Sequence, residues 1–283
     1  MNSEDLIQTI ARSLEAGAVI PYLGPDMLTL CSDIKVPGTP QALAENMTAK
    51  VSVPHKIRKR LTQAAQFIEN FKHRKSVVHL MNEAFADTPV PSALHLALAD
   101  SGAGLLIDTW YDDTLARALA QSGRPTSWAQ VQGLSQSEHF GDWTGVYAAD
   151  GSLLAEVPKE VDRLLYKPMG SHGPAGNYLV SDSDYVEVLT EIDIQTPIPA
   201  AVQAWRTGRN FLFLGCRFDD QLTRCFARQI MKRSSDRHWA VLPNEPTRME
   251  ARFLQEQNIT RIDMPLAQFA TALMDAMLPA LAA

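Results

Sequence analysis

The feature that most constrains this chain is the alternation in its last third. Phe211-Leu212-Phe213-Leu214-Gly215 is a short apolar run closed by glycine and reads as a buried strand. A helix over Asp220–Lys232, a strand over His238–Leu242, a helix over Pro246–Gln257, a strand over Ile259–Met264 and a helix over Leu266–Leu278 follow in turn. Short apolar strands separated by helices imply crossover connections and a parallel sheet covered on both faces.

The first third carries the same signature. Ser3 can cap an amphipathic helix over 3–17, with Leu6, Ile7, Ile10 and Leu14 on one face and Gly17 at its end. Ala18–Leu23 and Leu105–Trp110 read as buried strands. Between them, residues 40–98 read as a helical insertion, broken at Pro54 and near Lys75. Residues 121–165 are rich in Ser, Gln, Gly and Trp, with a hairpin signal at Asp150-Gly151, and read as a β-rich insertion. Arg163–Lys167 and Asn177–Val180 read as further short strands, and Asp182–Asp184 as the start of a helix. The expectation is an α/β protein: a single Rossmann-like, three-layer sandwich over 1–283, with a parallel central sheet and these two insertions.

Composition excludes several classes. Net charge is −6, which argues against the broad basic face that nucleic acid requires. One local exception is His55-Lys56-Ile57-Arg58-Lys59-Arg60, joined by Lys72, His73, Arg74 and Lys75. It reads as a solvated helix face or as a local anion or partner site. The three cysteines, Cys31, Cys216 and Cys225, make no CxxC pair, so neither a disulfide framework nor a structural zinc module is expected, and no metal site is assigned. The N-terminus lacks the apolar core of a signal peptide, and no apolar run approaches the roughly 18 residues of a membrane helix. A cytoplasmic location is the expectation. The apolar tail Leu278–Ala283 suggests packing, which could extend to a homo-oligomer.

In open parallel sheets ligands bind beyond the carboxyl ends of the strands. Four segments have that placement: Gly24-Pro25-Asp26, Thr109-Trp110-Tyr111-Asp112, Lys167–Gly173 and Gly215-Cys216-Arg217-Phe218-Asp219-Asp220. Gly24 and Gly215 could each let the backbone approach a phosphate or could simply turn the chain. Asp112-Asp113 and Asp219-Asp220 suit helix N-termini. His172 is a loop histidine, a surface residue or a candidate base. Trp128, Trp143, Trp205 and Trp239 read as packing residues.

In this order, the four segments resemble the sirtuin-like (silent information regulator two-like) NAD hydrolase family, found in bacterial defence and regulation. That family reads G-A-G-x-S, T-T-N-Y-D-D, K-L-H-G-S with an acidic-Asp-Tyr helix start, and L-F-x-G-Y-S-x-x-D. Here the matching stretches are Leu23–Met27, Asp108–Asp113, Tyr166–Ser171 with Ser183-Asp184-Tyr185, and Phe213–Asp220, a resemblance spanning about residues 6–275. It implies an NAD or ADP-ribose cleft with Gly24, Pro25, Asp26, Thr109, Gly215, Cys216 and Asp219 at the cofactor, and Trp110, Tyr111, Asp112, Met169 and His172 at or beside the catalytic positions. The departures oppose catalysis. Trp110 stands where the family has the asparagine that positions water and ribose, and an indole offers one donor and no acceptor. Met169 stands where the family has its general-base histidine. Asp26 replaces the second glycine of the first turn, where a carboxylate repels a pyrophosphate. The resemblance therefore implies a catalytically degenerate relative, regulatory or partner-binding, with NAD or ADP-ribose as a passive ligand. Its alternatives are an active NAD hydrolase using Tyr111, Asp112 and His172, or a binder of a different small molecule in a reshaped cleft.

Overall fold

The computed structural model describes residues 3–124, 127–191 and 198–281. The N-terminal helix α1 covers Ser3–Glu15 and feeds β1, Val19–Leu23. A 3-10 turn over Pro25–Leu30 follows, then α2 (Pro40–Lys50), α3 (Leu61–Lys72), α4 (Arg74–Ala84) and α5 (Ala93–Asp100). The expected breaks fall beside Pro54 and at His73, whose φ of 69° lies in the left-handed region. Then come β2 (Leu105–Asp108), α6 (Thr114–Ala120), β3 (Trp128–Gly133), β4 (Thr144–Ala148), β5 (Leu153–Leu154) and β6 (Arg163–Lys167). A two-stranded hairpin, β7 (Gly170–Ser171) and β8 (Asn177–Tyr178), leads to α7 (Asp182–Glu191) and α8 (Ala200–Arg206). The end is β9 (Asn210–Leu214), α9 (Gln221–Met231), β10 (His238–Val241), α10 (Arg248–Glu256), β11 (Ile259–Ile262) and α11 (Leu266–Leu281).

The main sheet runs β11-β10-β9-β1-β2-β6-β3-β4-β5. It is parallel from β11 to β3; β4 and β5 are antiparallel additions. Strand alternation sends Tyr22, Phe211, Phe213 and Tyr166 to one face, where they pack with α3, α4, α9 and α10. Val19, Leu23, Leu106, Leu165, Leu212 and Leu214 go to the other face, with α1, α5, α6 and α11. Three layers result, as the sequence leads one to expect.

The β-rich stretch joins the main sheet, where β3 lies parallel to β6. Its polar residues are buried: the Gln130 amide donates to Gly173 O at 3.0 Å, and that of Gln132 to Ser171 O at 3.0 Å, so β3 holds the β7–β8 hairpin over the sheet end. Among the described residues no helix is long and apolar enough to cross a membrane.

Candidate functional site

The strand order reverses between β1 and β9, the point where open parallel sheets place ligands. The two turns leaving these strands touch each other. Gly24 N–H donates to Leu214 O at 2.9 Å, and Asp26 N–H donates to Gly215 O at 3.1 Å. A Cβ on Gly24 would stand 2.4 Å from Gly215 O and 2.8 Å from Cys216 Sγ. Gly215 has φ +65°, and a Cβ there would stand 2.5 Å from Met27 N. Both glycines are thus required for contact between the two turns. The N–H groups of Gly24, Asp26 and Met27 are spent on carbonyls of the same turns, with Met27 N–H on Gly24 O at 3.2 Å.

The side chains around this junction are apolar or acidic. Cys216 is buried, its thiol is pushed well up by that burial, and it lies 3.6 Å from Tyr22 O. Burial raises the Asp26 carboxyl and Asp219 adds to the rise, while Arg217 opposes it. Arg217 is committed elsewhere: it grips Glu250 with two bonds, 2.9 and 2.8 Å. Asp219 is exposed, and Asp220 caps α9 through Leu222 N–H at 2.7 Å.

The segment after β2 is tightly held. Thr109 gives both its N–H and its hydroxyl to Leu23 O, at 3.0 and 2.8 Å. Lys167, at the end of β6, is 2% exposed in its side chain and donates to Asp108 Oδ2 (2.6 Å), Trp110 O (2.5 Å) and Asp112 O (2.7 Å). An ammonium with three acceptors suits burial. Burial pushes Asp108 up to about 6 against the pull of Lys167. Asp112 caps α6, accepting from Thr114 N–H at 2.9 Å.

Trp110 is 4% exposed. Its indole N–H donates to Pro37 O at 2.8 Å, across to the segment preceding α2. Its ring lies 6.0 Å edge-on from Phe85 and 5.0 Å from Tyr111, which in turn lies 5.9 Å from Tyr178. This aromatic row runs from the sheet end to the hairpin. The Tyr111 hydroxyl donates to Leu179 O at 2.9 Å. Met169 is buried in the same cluster. His172 is half-buried at the far end of the row, with Nδ1 3.4 Å from the Tyr178 hydroxyl. That hydroxyl donates to Asn82 Oδ1 at 2.7 Å. Asp113, beside His172, accepts from Ser171 Oγ at 2.7 Å and from Gly173 N–H at 3.0 Å.

The structure therefore brings Gly24, Pro25, Asp26, Gly215 and Cys216 into one junction, and Thr109, Trp110, Tyr111 and Asp112 into one loop beside it. His172 is tied to the loop by its backbone, its N–H donating to Tyr111 O at 2.9 Å, while its ring faces Tyr178; Asp219 is exposed beside the junction and acts on Asp26. Two features that organise the site escape sequence reasoning. Lys167 falls in a segment singled out from the sequence, but its three buried bonds do not show there, and Pro37 contributes a carbonyl, which no side-chain pattern reveals. A third group, His95, is buried with its Nδ1 2.8 Å from Ser92 Oγ and 3.9 Å from Cys31 Sγ. Burial pushes His95 down to about 4, with Asp112 opposing, and raises the Cys31 thiol, so the pair is neutral.

A family model for the SIR2-like domain matches residues 104–262, more than half of the chain. The chain belongs to the SIR2-like domain family. Its matched part begins one residue before β2, ends with β11, and so takes in Trp110, Lys167, Met169, His172 and the turn after β9. A solved structure described as "Structural Basis for the Mechanism and Regulation of Sir2 Enzymes" is similar at 11% identity, covering 99% of this chain and 100% of that one, with a TM-score of 0.47. No curated protein matches this SIR2-like chain.

Proposed function

We propose that this SIR2-like protein is catalytically degenerate and uses its retained scaffold for regulation or partner binding. The observation that carries this reading is the seating of Trp110. The indole stands at the position of the family's asparagine, buried, with its single donor taken by Pro37 O. It has no acceptor with which to orient a water.

The residues present do not fit NAD as the family would hold it. The N–H groups of the first turn are spent on Leu214 O, Gly215 O and Gly24 O, and Asp26 and Asp219 add negative charge beside that turn, which opposes a pyrophosphate. Met169 cannot take a proton from a ribose hydroxyl. The groups that an altered mechanism would need are also occupied: Tyr111 bonds Leu179 O, Asp112 caps α6, and His172 neighbours Tyr178 rather than Trp110.

The test is incubation of the purified protein with NAD, following nicotinamide by chromatography, alongside calorimetric titration with NAD and with ADP-ribose. The expected result is no nicotinamide release above a no-protein control. Release that disappears in Tyr111→Phe or His172→Ala overturns the reading.

A further inference from the structure

We infer that the exposed face of α3, with the corner between α3 and α4, is a docking surface for an acidic segment of a partner protein. The inference deepens the partner-binding reading above and rests on it.

The first observation is charge segregation. Residues 40–98 hold eight Lys and Arg against four Asp and Glu, a net of +4 in a chain of net −6. The rest of the chain therefore carries −10. The internal uses of these cations are few. Arg74 is buried against Asp184 at 2.9 Å, Lys50 pairs with Glu83 at 3.0 Å, and Lys59 with Glu45 at 3.2 Å. Lys56, Arg58, Arg60, Lys72 and Lys75 are all exposed and make no ion pair among the described residues. A plain solvated face normally interleaves both signs; this one leaves five cations of one sign around one helix.

The second observation is aromatic. Phe71 is 67% exposed, with its ring 4.4 Å from that of Phe67. At 3.6 residues per turn, Gln63, Phe67 and Phe71 form one stripe on α3, with Arg60 just before its first turn. His73, at φ 69°, turns the chain sharply, which sets Phe71, Lys72 and Lys75 at one exposed corner. α3 is about 18 Å long, with Arg60 before its first turn and Phe71 and Lys72 in its last, so cations stand at both ends of the aromatic stripe. Buried aromatic anchors ringed by charge are the pattern of protein interfaces, in which the anchor holds and the rim steers.

Charge complementarity selects the occupant. A duplex needs a wide basic footprint, and the −10 on the remainder of the molecule repels a polyanion longer than one helix face. A short acidic segment with an apolar side chain for Phe71 meets the basic rim only.

The test uses fluorescence anisotropy of the full-length protein with three labelled probes: a synthetic peptide of glutamate and leucine, a lysine and leucine peptide of the same length, and a DNA duplex. The acidic peptide is expected to bind, to weaken with added salt, to weaken about tenfold or more with Phe71→Ala, and to be lost with Lys72→Glu combined with Lys75→Glu. Unchanged circular dichroism and melting temperature show that these surface variants fold. Failure of the acidic peptide to bind, binding undiminished in both variants, or equally tight binding of the duplex overturns the inference. Nicotinamide release is followed on the same samples. Activity there refutes the degenerate reading, whereas loss of the variant effects refutes only this surface.

Discussion

At the scale of residues, the indole of Trp110 is the centre of a packing cluster and a hydrogen-bonded tie at once. Removing it leaves a cavity between Phe85 and Tyr111 and frees Pro37 O. Trp110→Ala is expected to lower stability by about 3–5 kcal/mol, read from the urea midpoint. Trp110→Asn combined with Met169→His restores two family side chains without changing the junction of Gly24 and Gly215. That double variant is expected to release no nicotinamide, because the donors of the first turn are still engaged. Release at a measurable rate from it would place the whole defect in those two side chains.

At the scale of elements, buried charges hold the loops at the sheet end. Glu250 on α10 accepts from Arg217, from Phe218 N–H at 3.0 Å and from Thr247 N–H at 2.9 Å. Although burial alone would raise it, these partners hold its carboxyl down from 4.5 to about 2. A carboxyl lowered in the folded state stabilises above its unfolded pKa and loses that contribution as pH falls through its folded pKa. Glu250→Gln is therefore expected to remove at most about 3 kcal/mol at neutral pH and to flatten the loss of stability between pH about 4.5 and 2, as measured by urea unfolding across that range. Lys167→Met removes the shared donor to Asp108 Oδ2, Trp110 O and Asp112 O. It is expected to cost about 3–5 kcal/mol and to shift tryptophan emission to longer wavelength as the Trp110 loop loosens.

Much of this architecture is legible in the sequence, and the exceptions have physical causes. β1, β2, β9 and β10 are apolar on both faces, so each announces itself as a run closed by glycine or a polar turn. β3 does not, because Gln130 and Gln132 are buried to satisfy hairpin carbonyls, and buried amides look like surface residues in a string of letters. The turns after β1 and β9 are readable as motifs; that their backbone N–H groups are taken by each other's and their own carbonyls is not, since backbone pairing leaves no trace in side-chain identity.

At the scale of the whole molecule, the sheet has a protected middle and a weak edge. β9, β1, β2 and β6 are covered on both faces, whereas β5 has two residues, and Leu153 on it is 72% exposed. Amide exchange is expected to be slowest in those four central strands and faster by orders of magnitude in β5, resolvable by mass spectrometry of peptic fragments. The seating of Trp110 also bears on the history of such a molecule. Replacing Trp110 by asparagine removes the ring on which Phe85 and Tyr111 rest, while Met169 and the locked turns still stand. On the proposed reading, Trp110→Asn alone is expected to be less stable than the parent and no more active. On that reading, the way back from an indole at this place therefore runs through a less stable state.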